Sequence, residues 1–371
     1  MTAFWYLLIY TSVVSFFGTA IKKNEKIRQG NNYDYKSISL FFAIMSFALL
    51  FVMVGARSGY NDTLSYRFEF ERDITTDLNQ IKDFFIENHK SKYFKTLEVI
   101  FKHYISEDYN VWFFVLGFFQ IGAIVKFFYK FSNNFFLSSY LYIASTSFTW
   151  LMSGIRQFLA VCIVLYGVDW LIQRKTAKFL LLVLVASLFH VSALIWIPVY
   201  FICASKPWSW KMILFVVGIF GILFSLDKFT NILSDVLEDT NYSGLAENLS
   251  TGEGMNVIRL AVNCVPWVLA LFCKRDIEEE NNTFLNICVN LSLISSALYL
   301  VASFTSGIIV GRLPSYFIVF DLILIPWILD KYFSPSIRFM LKVACVVLYL
   351  AYFYYAITHT SNIYESTLLG W

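Results

Sequence analysis

Charge is what this sequence has least of. Asp, Glu, Lys and Arg make up 15% of its 371 residues, against 58% hydrophobic residues. That charged share is about half the usual globular value. So little polar surface does not cover a soluble domain of this length. Strand-type alternation of apolar and polar residues is also missing, which argues against a β-barrel. There is no CxxC pair and no Cys/His cluster. The six cysteines, Cys162, Cys203, Cys264, Cys273, Cys288 and Cys345, are scattered, mostly inside apolar runs. There they read as small buried hydrophobes, not metal ligands. No acidic pair has clear metal-ligand spacing, so the residues suggest no metal. No basic tail or aromatic–basic interleaving points to nucleic acid. The net charge of +3 says little about partners. No internal repeat or low-complexity linker divides the chain, so residues 1–371 read as one integral membrane domain.

What is present is apolar length. Runs of roughly 17–25 residues, enough to span bilayer hydrocarbon, recur along the whole chain. Candidate spans fall at 2–21, 38–55, 111–130, 135–150, 155–173, 178–203, 211–226, 256–273, 284–306, 313–330 and 338–358. The fold class is therefore all-α and polytopic, with 10–11 transmembrane helices. The first run, "AFWYLLIYTSVVSFFGTAI", has no basic flank before it and no small-residue cleavage site, so it reads as a retained helix.

Orientation comes from lysine and arginine in the short loops. "KKNEKIRQGNNYDYK" holds five basic residues, which makes it cytoplasmic and places the N-terminus outside. Alternation then puts 56–110 outside, Lys126 and Lys130 inside, and Arg174, Lys175 and Lys178 inside. A single crossing by 178–203 would send Lys206, Lys211, Lys274, Arg275, Lys331, Arg338 and Lys342 to the wrong face. A re-entrant helical hairpin there keeps all seven inside. The bend fits "SLFHVSAL", with His190 near its tip; backbone breaks at that depth need burial or a wet cavity. Two outer loops follow, 56–110 and 227–255. In the first, Phe94, Leu97, Ile100, Phe101, Tyr104 and Ile105 recur at helical spacing and predict an amphipathic helix at the membrane interface.

Four arginines fall at the outer ends of spans: Arg57, Arg156, Arg259 and Arg312. The positive-inside bias disfavours that position. One such arginine is ordinarily a side chain snorkelling to headgroups. Four of them, each beside Gly, Ser or Asn, shift the balance toward a site. Arginine grips phosphate or carboxylate with a planar fork, and an intramembrane cation is a functional candidate. Together they suit a diphosphate at the outer leaflet. Gln157 adds a hydrogen-bonding neighbour, and Tyr66 and Tyr316 offer hydroxyls or rings to a sugar. Asp62, five residues beyond Arg57, is either a base or an arginine's partner. His190 is either a satisfied core histidine or a proton acceptor, since imidazole titrates near neutral pH. Glu69, Glu71 and Asp73 read as a solvated charge run.

"ARSGYNDTLSYRFEF", "MSGIRQFLAVCIVLYGVDWLIQRK", "ASLFHVSALIWIPVYF" and "GRLPSYF" resemble, in this order and spacing, the EpsG family of Wzy-like polysaccharide polymerases. The likeness covers most of the chain, and its most specific parts are the GIRQ and FHVSAL stretches. The resemblance implies an enzyme of the bacterial inner membrane, with its active site facing the exterior and an architecture compatible with a GT-C-like fold. It implies donor and acceptor oligosaccharides carried on undecaprenyl diphosphate, membrane lipids as surroundings, and a chain-length regulator as a candidate partner. Arg57, Arg156 and Arg312 fall on positions like the family's arginines, Arg259 less closely, and His190 on its histidine. O-antigen, capsule and exopolysaccharide remain open as the product.

In that chemistry an acceptor hydroxyl attacks the anomeric carbon and the lipid diphosphate leaves. Arginines already aimed at the diphosphate would stabilise its growing charge, and either His190 or Asp62 would take the proton. Three rival classes remain. A multi-span glycosyltransferase using a lipid-phosphate sugar would add a single sugar, with Asp62 or Glu69 as its acid. A transporter of the lipid-linked glycan would favour an internal pseudo-repeat, and the sequence has none. A membrane O-acyltransferase also needs a histidine and arginines.

Overall fold

The computed structural model describes residues 2–21, 28–29, 32–33, 37–89, 91–224, 256–304, 310–360 and 362–371. The expected outer loop 227–255 lies outside the described residues. The described residues are mostly helical, as the apolar runs require, with a two-residue antiparallel ladder between Arg28–Gln29 and Asn32–Tyr33 and an isolated antiparallel bridge between Gly59 and Glu365. Among the described residues four helices have the length and composition to cross a bilayer: Thr2–Ile21, Tyr109–Phe131, Thr283–Phe304 and Pro335–Thr358. Two bent pairs raise the number to six, Val257–Phe272 with Lys274–Glu280 and Val310–Tyr316 with Ile318–Lys331. Six shorter apolar helices lie within the remaining expected spans. The protein is an all-α polytopic membrane protein, and every apolar run named above coincides with a helix or a broken helix.

Contacts divide the chain into two compact units, one of residues 1–194 and 335–371, the other of residues 195–334. In the first unit, α1 (Thr2–Ile21) packs on α2 (Leu40–Ser46) and on the later helix Phe135–Ala144. The apolar run 38–55 breaks at Phe47, and α3 (Ala48–Ala56) continues it. After Arg57 come α4 (Thr63–Phe68), a π-helical turn Glu69–Asp73, α5 (Gln80–Ile86) and α6 (Lys92–Tyr104). Then α7 (Tyr109–Phe131) packs along α3. Gly55 makes that approach feasible: a Cβ there would lie 2.1 Å from the Phe114 ring.

Next come α8 (Phe135–Ala144), α9 (Ile155–Tyr166), α10 (Val168–Ile172) and α11 (Thr176–Phe189). The run 178–203 is interrupted where the polar residues interrupt it. Helix α11 stops at Phe189, and His190 is extended at φ −153°, ψ 118°. Its 14 residues reach about 21 Å at about 1.5 Å per residue, short of a hydrocarbon core of about 30 Å.

The expected amphipathic helix is α6, but its apolar residues do not form one face. Phe94 and Phe101 are buried, while Leu97, Ile100 and Tyr104 are exposed. The buried face also takes in Lys95, Glu98 and Lys102. Lys102 reaches back to the Phe70 and Ile74 carbonyls at 2.8 and 2.6 Å, fastening the π-helical turn. Trp112 of α7 fills the centre, with its ring 4.9 Å from Phe101, 5.9 Å from Phe94 and stacked on Phe70. A second cluster of Ile74, Phe84 and Val99 joins α5 to α6. The 56–110 segment is thus a folded cap with its own core.

The second unit is centred on the helix Thr283–Phe304, which packs on Val257–Phe272, Trp210–Phe224, the 3-10 turn Val310–Tyr316 and Ile318–Lys331. Asn290 ties its own helix to the end of Trp196–Cys203 by donating to the Cys203 and Ser205 carbonyls, both at 2.8 Å.

Candidate functional site

Four candidate residues of the first unit, Arg57, Asp62, Tyr66 and Arg156, lie where α3, α4 and α9 meet. Helix α9 begins after the turn "SGIR". Gly154 takes the left-handed conformation there, φ 62°, ψ 46°, which costs an L side chain about 1–2 kcal/mol. Its N–H donates to Asp62 Oδ2 at 3.1 Å. That bond joins two loops that are 92 residues apart in sequence. One turn on from Asp62, the Tyr66 hydroxyl accepts from Arg156 Nε at 3.4 Å, and the guanidinium lies 5.9 Å from the same ring. Arg156 is half-buried, and Gln157 behind it is buried.

Arg57 leaves α3 in extended conformation and is 1% exposed. Its Nε donates to Thr63 Oγ1 at 3.2 Å, at the first residue of α4. Its Nη1 returns to the Val54 carbonyl, and the guanidinium lies 4.0 Å from the centre of the Phe113 ring. Tyr66 acts electrostatically on Arg57 as well as on Arg156. The phenol therefore belongs to the surroundings of both cations. Among the described residues neither guanidinium forms an ion pair with a carboxylate.

Cap residues that sequence reasoning passed over stand next to this pair. Glu69, read from the sequence as part of a solvated run, binds Lys95 at 2.8 Å. Glu98 is buried, accepts from Trp112 Nε1 at 3.2 Å, and its Oε2 has no hydrogen-bond partner among the described residues. Burial, then the nearby negative charge of Glu69, raises its pKa well above the usual glutamate range. Burial, and then Lys95, holds His89 below the ordinary imidazole range. A signal for Lys95, Glu98 and Lys102 was present: three charges at helical spacing inside an amphipathic segment. Apolar periodicity drew attention to the other residues.

His190 sits at the end of α11, with Nδ1 2.6 Å from Ser192 Oγ. In the second unit, Arg259 is in the first turn of Val257–Phe272, and its carbonyl accepts from Asn263 Nδ2 at 2.7 Å. Arg312 and Tyr316 share the 3-10 turn Val310–Tyr316. Tyr316 is buried against Phe317, not displayed as a platform. The described residues contain no group of three His, Cys, Asp or Glu side chains arranged for a metal.

Membrane-length helices, a folded cap after α3, and two arginines near one phenol describe a multi-pass membrane protein with cationic side chains beside its cap. The family model of the EpsG family matches residues 40–369, nearly the whole chain, and the chain belongs to the EpsG family. This family is one of Wzy-type polysaccharide polymerase-like proteins, so its role is polysaccharide polymerase-like. No curated protein and no solved structure matches the chain.

Proposed function

We propose that this protein joins oligosaccharide repeat units carried on undecaprenyl diphosphate, at the outer face of the cytoplasmic membrane. The observation that carries the reading is the pair Arg57 and Arg156 near Tyr66, with neither guanidinium in an ion pair among the described residues, although Glu69 and Glu98 act electrostatically on Arg156. A buried cation with no paired carboxylate among the described residues, as Arg57 is, is costly in a medium of low dielectric. An anionic ligand offsets that cost.

Arg156 is the half-buried member, so it is the one a lipid diphosphate would touch. Arg57 is fully buried and contributes positive potential and the placement of α4. In the reaction, an acceptor sugar hydroxyl attacks the donor's anomeric carbon. The new glycosidic C–O bond forms as the bond to the diphosphate breaks. The electron pair leaves with the diphosphate, where the arginines meet the growing charge without reorganising. The hydroxyl proton goes to a base. Asp62 is the candidate whose contacts lie beside Arg156, through Gly154, and His190 is the second. Arg259, Arg312 and Gln157 are further candidates for the glycan or lipid. No metal or cofactor enters this scheme.

The test is deletion of the gene in its host, with lipid-linked and surface glycans sized by gel and mass spectrometry. Loss of long chains with complete single repeat units left behind supports a polymerase. A repeat unit lacking one sugar or an acyl group shows a transferase instead. Complete units held on the inner leaflet show a transporter.

A further inference from the structure

We propose that Tyr364 and Ser366 are positioning residues for the arginine site, acting through the end of α3; this rests on the reading of that site given above. They are more than 300 residues from α3 in sequence, and no motif links them to it.

A helix leaves its last carbonyls without intrahelical partners. At the end of α3, three of them are taken by side chains. The Tyr364 hydroxyl donates to the Met53 carbonyl at 2.8 Å. The Arg57 guanidinium donates to the Val54 carbonyl. The Ser366 hydroxyl donates to the Ala56 carbonyl at 2.6 Å. Two of the three caps therefore come from the 362–371 segment, and the third is the arginine itself.

Backbone bonds hold that segment in place. The Glu365 carbonyl accepts from Ser58 N–H at 2.8 Å and Gly59 N–H at 3.2 Å, and Glu365 N–H donates to the Gly59 carbonyl at 2.8 Å. Thr367 N–H adds a bond to Ser58 Oγ at 3.2 Å. The segment closes on itself, with Ser366 N–H to the Trp371 carbonyl at 2.7 Å and Trp371 N–H back to Ser366 at 3.0 Å. Tyr364 also packs its ring 5.9 Å from Phe4 of α1. Tyr364 and Ser366 are both buried.

The consequence runs along a chain of contacts. The hydroxyl caps and the bridge fix the direction in which the backbone leaves α3 at Arg57. Arg57 in turn meets Thr63 at the start of α4, and α4 carries Tyr66 to Arg156. Removing the two hydroxyls frees the Met53 and Ala56 carbonyls, loosens the bridge and lets Arg57 leave its buried place.

The test uses the full chain in detergent, with Tyr364→Phe, Ser366→Ala and their double variant, and Leu368→Ala as an exposed control. Phenylglyoxal, which modifies accessible guanidinium groups, is the probe, and modified peptides are quantified by mass spectrometry. Wild type and Leu368→Ala protect Arg57. The double variant, still folded by thermal melt, modifies Arg57 at least about fivefold faster, the effect of losing roughly one hydrogen bond. Tyr364→Phe loses a single oxygen and is the variant to read if the double variant does not fold. Arg57 equally protected in wild type and the folded variants overturns the proposal. Glycan length in the complemented deletion host separates the two readings. Arg57 unmasked with unchanged glycan length keeps the positioning role and removes Arg57 from the polymerase site. Shortened glycans with Arg57 still protected overturn the positioning role and leave the site reading standing.

Discussion

The carboxylate of Asp62 accepts a hydrogen bond from the Gly154 N–H at 3.1 Å, and so locks the loop after α3 to the turn that starts α9. Asp62→Asn keeps an acceptor for that bond and removes the charge. If Asp62 is the base, glycan polymerisation in a complemented deletion host falls at least about 100-fold, within the range of general base catalysis, while the melting temperature holds. Full activity of Asp62→Asn would leave Asp62 with the tether alone.

Gly154→Ala places a methyl on a left-handed residue. The expected cost is about 1–2 kcal/mol, read as a lower melting temperature. Because Arg156 follows by two residues, polymer length should fall more than that stability loss explains.

Arg156→Lys keeps one positive charge and loses the planar fork. Polymerisation should drop about 10- to 100-fold, which corresponds to roughly 1.5–3 kcal/mol for a hydrogen bond to a charged group. Tyr66→Phe should cost less, since the phenol supports the arginine and leaves the charge in place. Polymer sizing of both variants in the same host checks the order, and a fully active Arg156→Lys removes the fork from the mechanism.

Glu98 has a raised pKa because it is buried beside Glu69. The folded state therefore holds that proton more tightly than the unfolded state does. For such an acid, stability is highest at low pH and falls as pH climbs above about 4.3, the unfolded glutamate value. The loss levels off once pH passes the raised folded value. Glu98→Gln keeps an acceptor for Trp112 and removes the titration. Its melting temperature at neutral pH should exceed that of wild type, and the decline between acid and neutral pH should flatten. An unchanged pH profile would show that Glu98 does not titrate in this way.

Asp321, in the helix Ile318–Lys331, is buried; among the described residues neither carboxyl oxygen forms a hydrogen bond, and Ser292 is the polar side chain that acts on it. Burying a carboxyl group with so few polar partners is destabilising. Asp321→Asn should leave the melting temperature unchanged or raise it. A marked fall would mean that the carboxylate binds something the described residues do not supply.

The sequence alone determined the membrane class, the positions of the helices and the break at His190. Each of these follows from local physics: apolar length, polar interruption and the cost of exposing backbone in hydrocarbon. The pattern also marked out Arg57, Asp62, Tyr66 and Arg156, because charges at the ends of apolar runs stand out against so little charge. What only the tertiary structure decided is how those residues divide the work. Arg57 and Arg156 look alike in sequence, yet one is sealed under Phe113 and the other is half-open beside Tyr66. Periodicity found helix α6 but assigned its faces incompletely, because Trp112 and the Phe70 and Ile74 carbonyls that receive its charged side arrive from other elements. Tyr364 and Ser366 had no signal at all. Their role exists only where a distant segment meets the open carbonyls of a helix end, and a linear pattern does not record which donors will come to fill them.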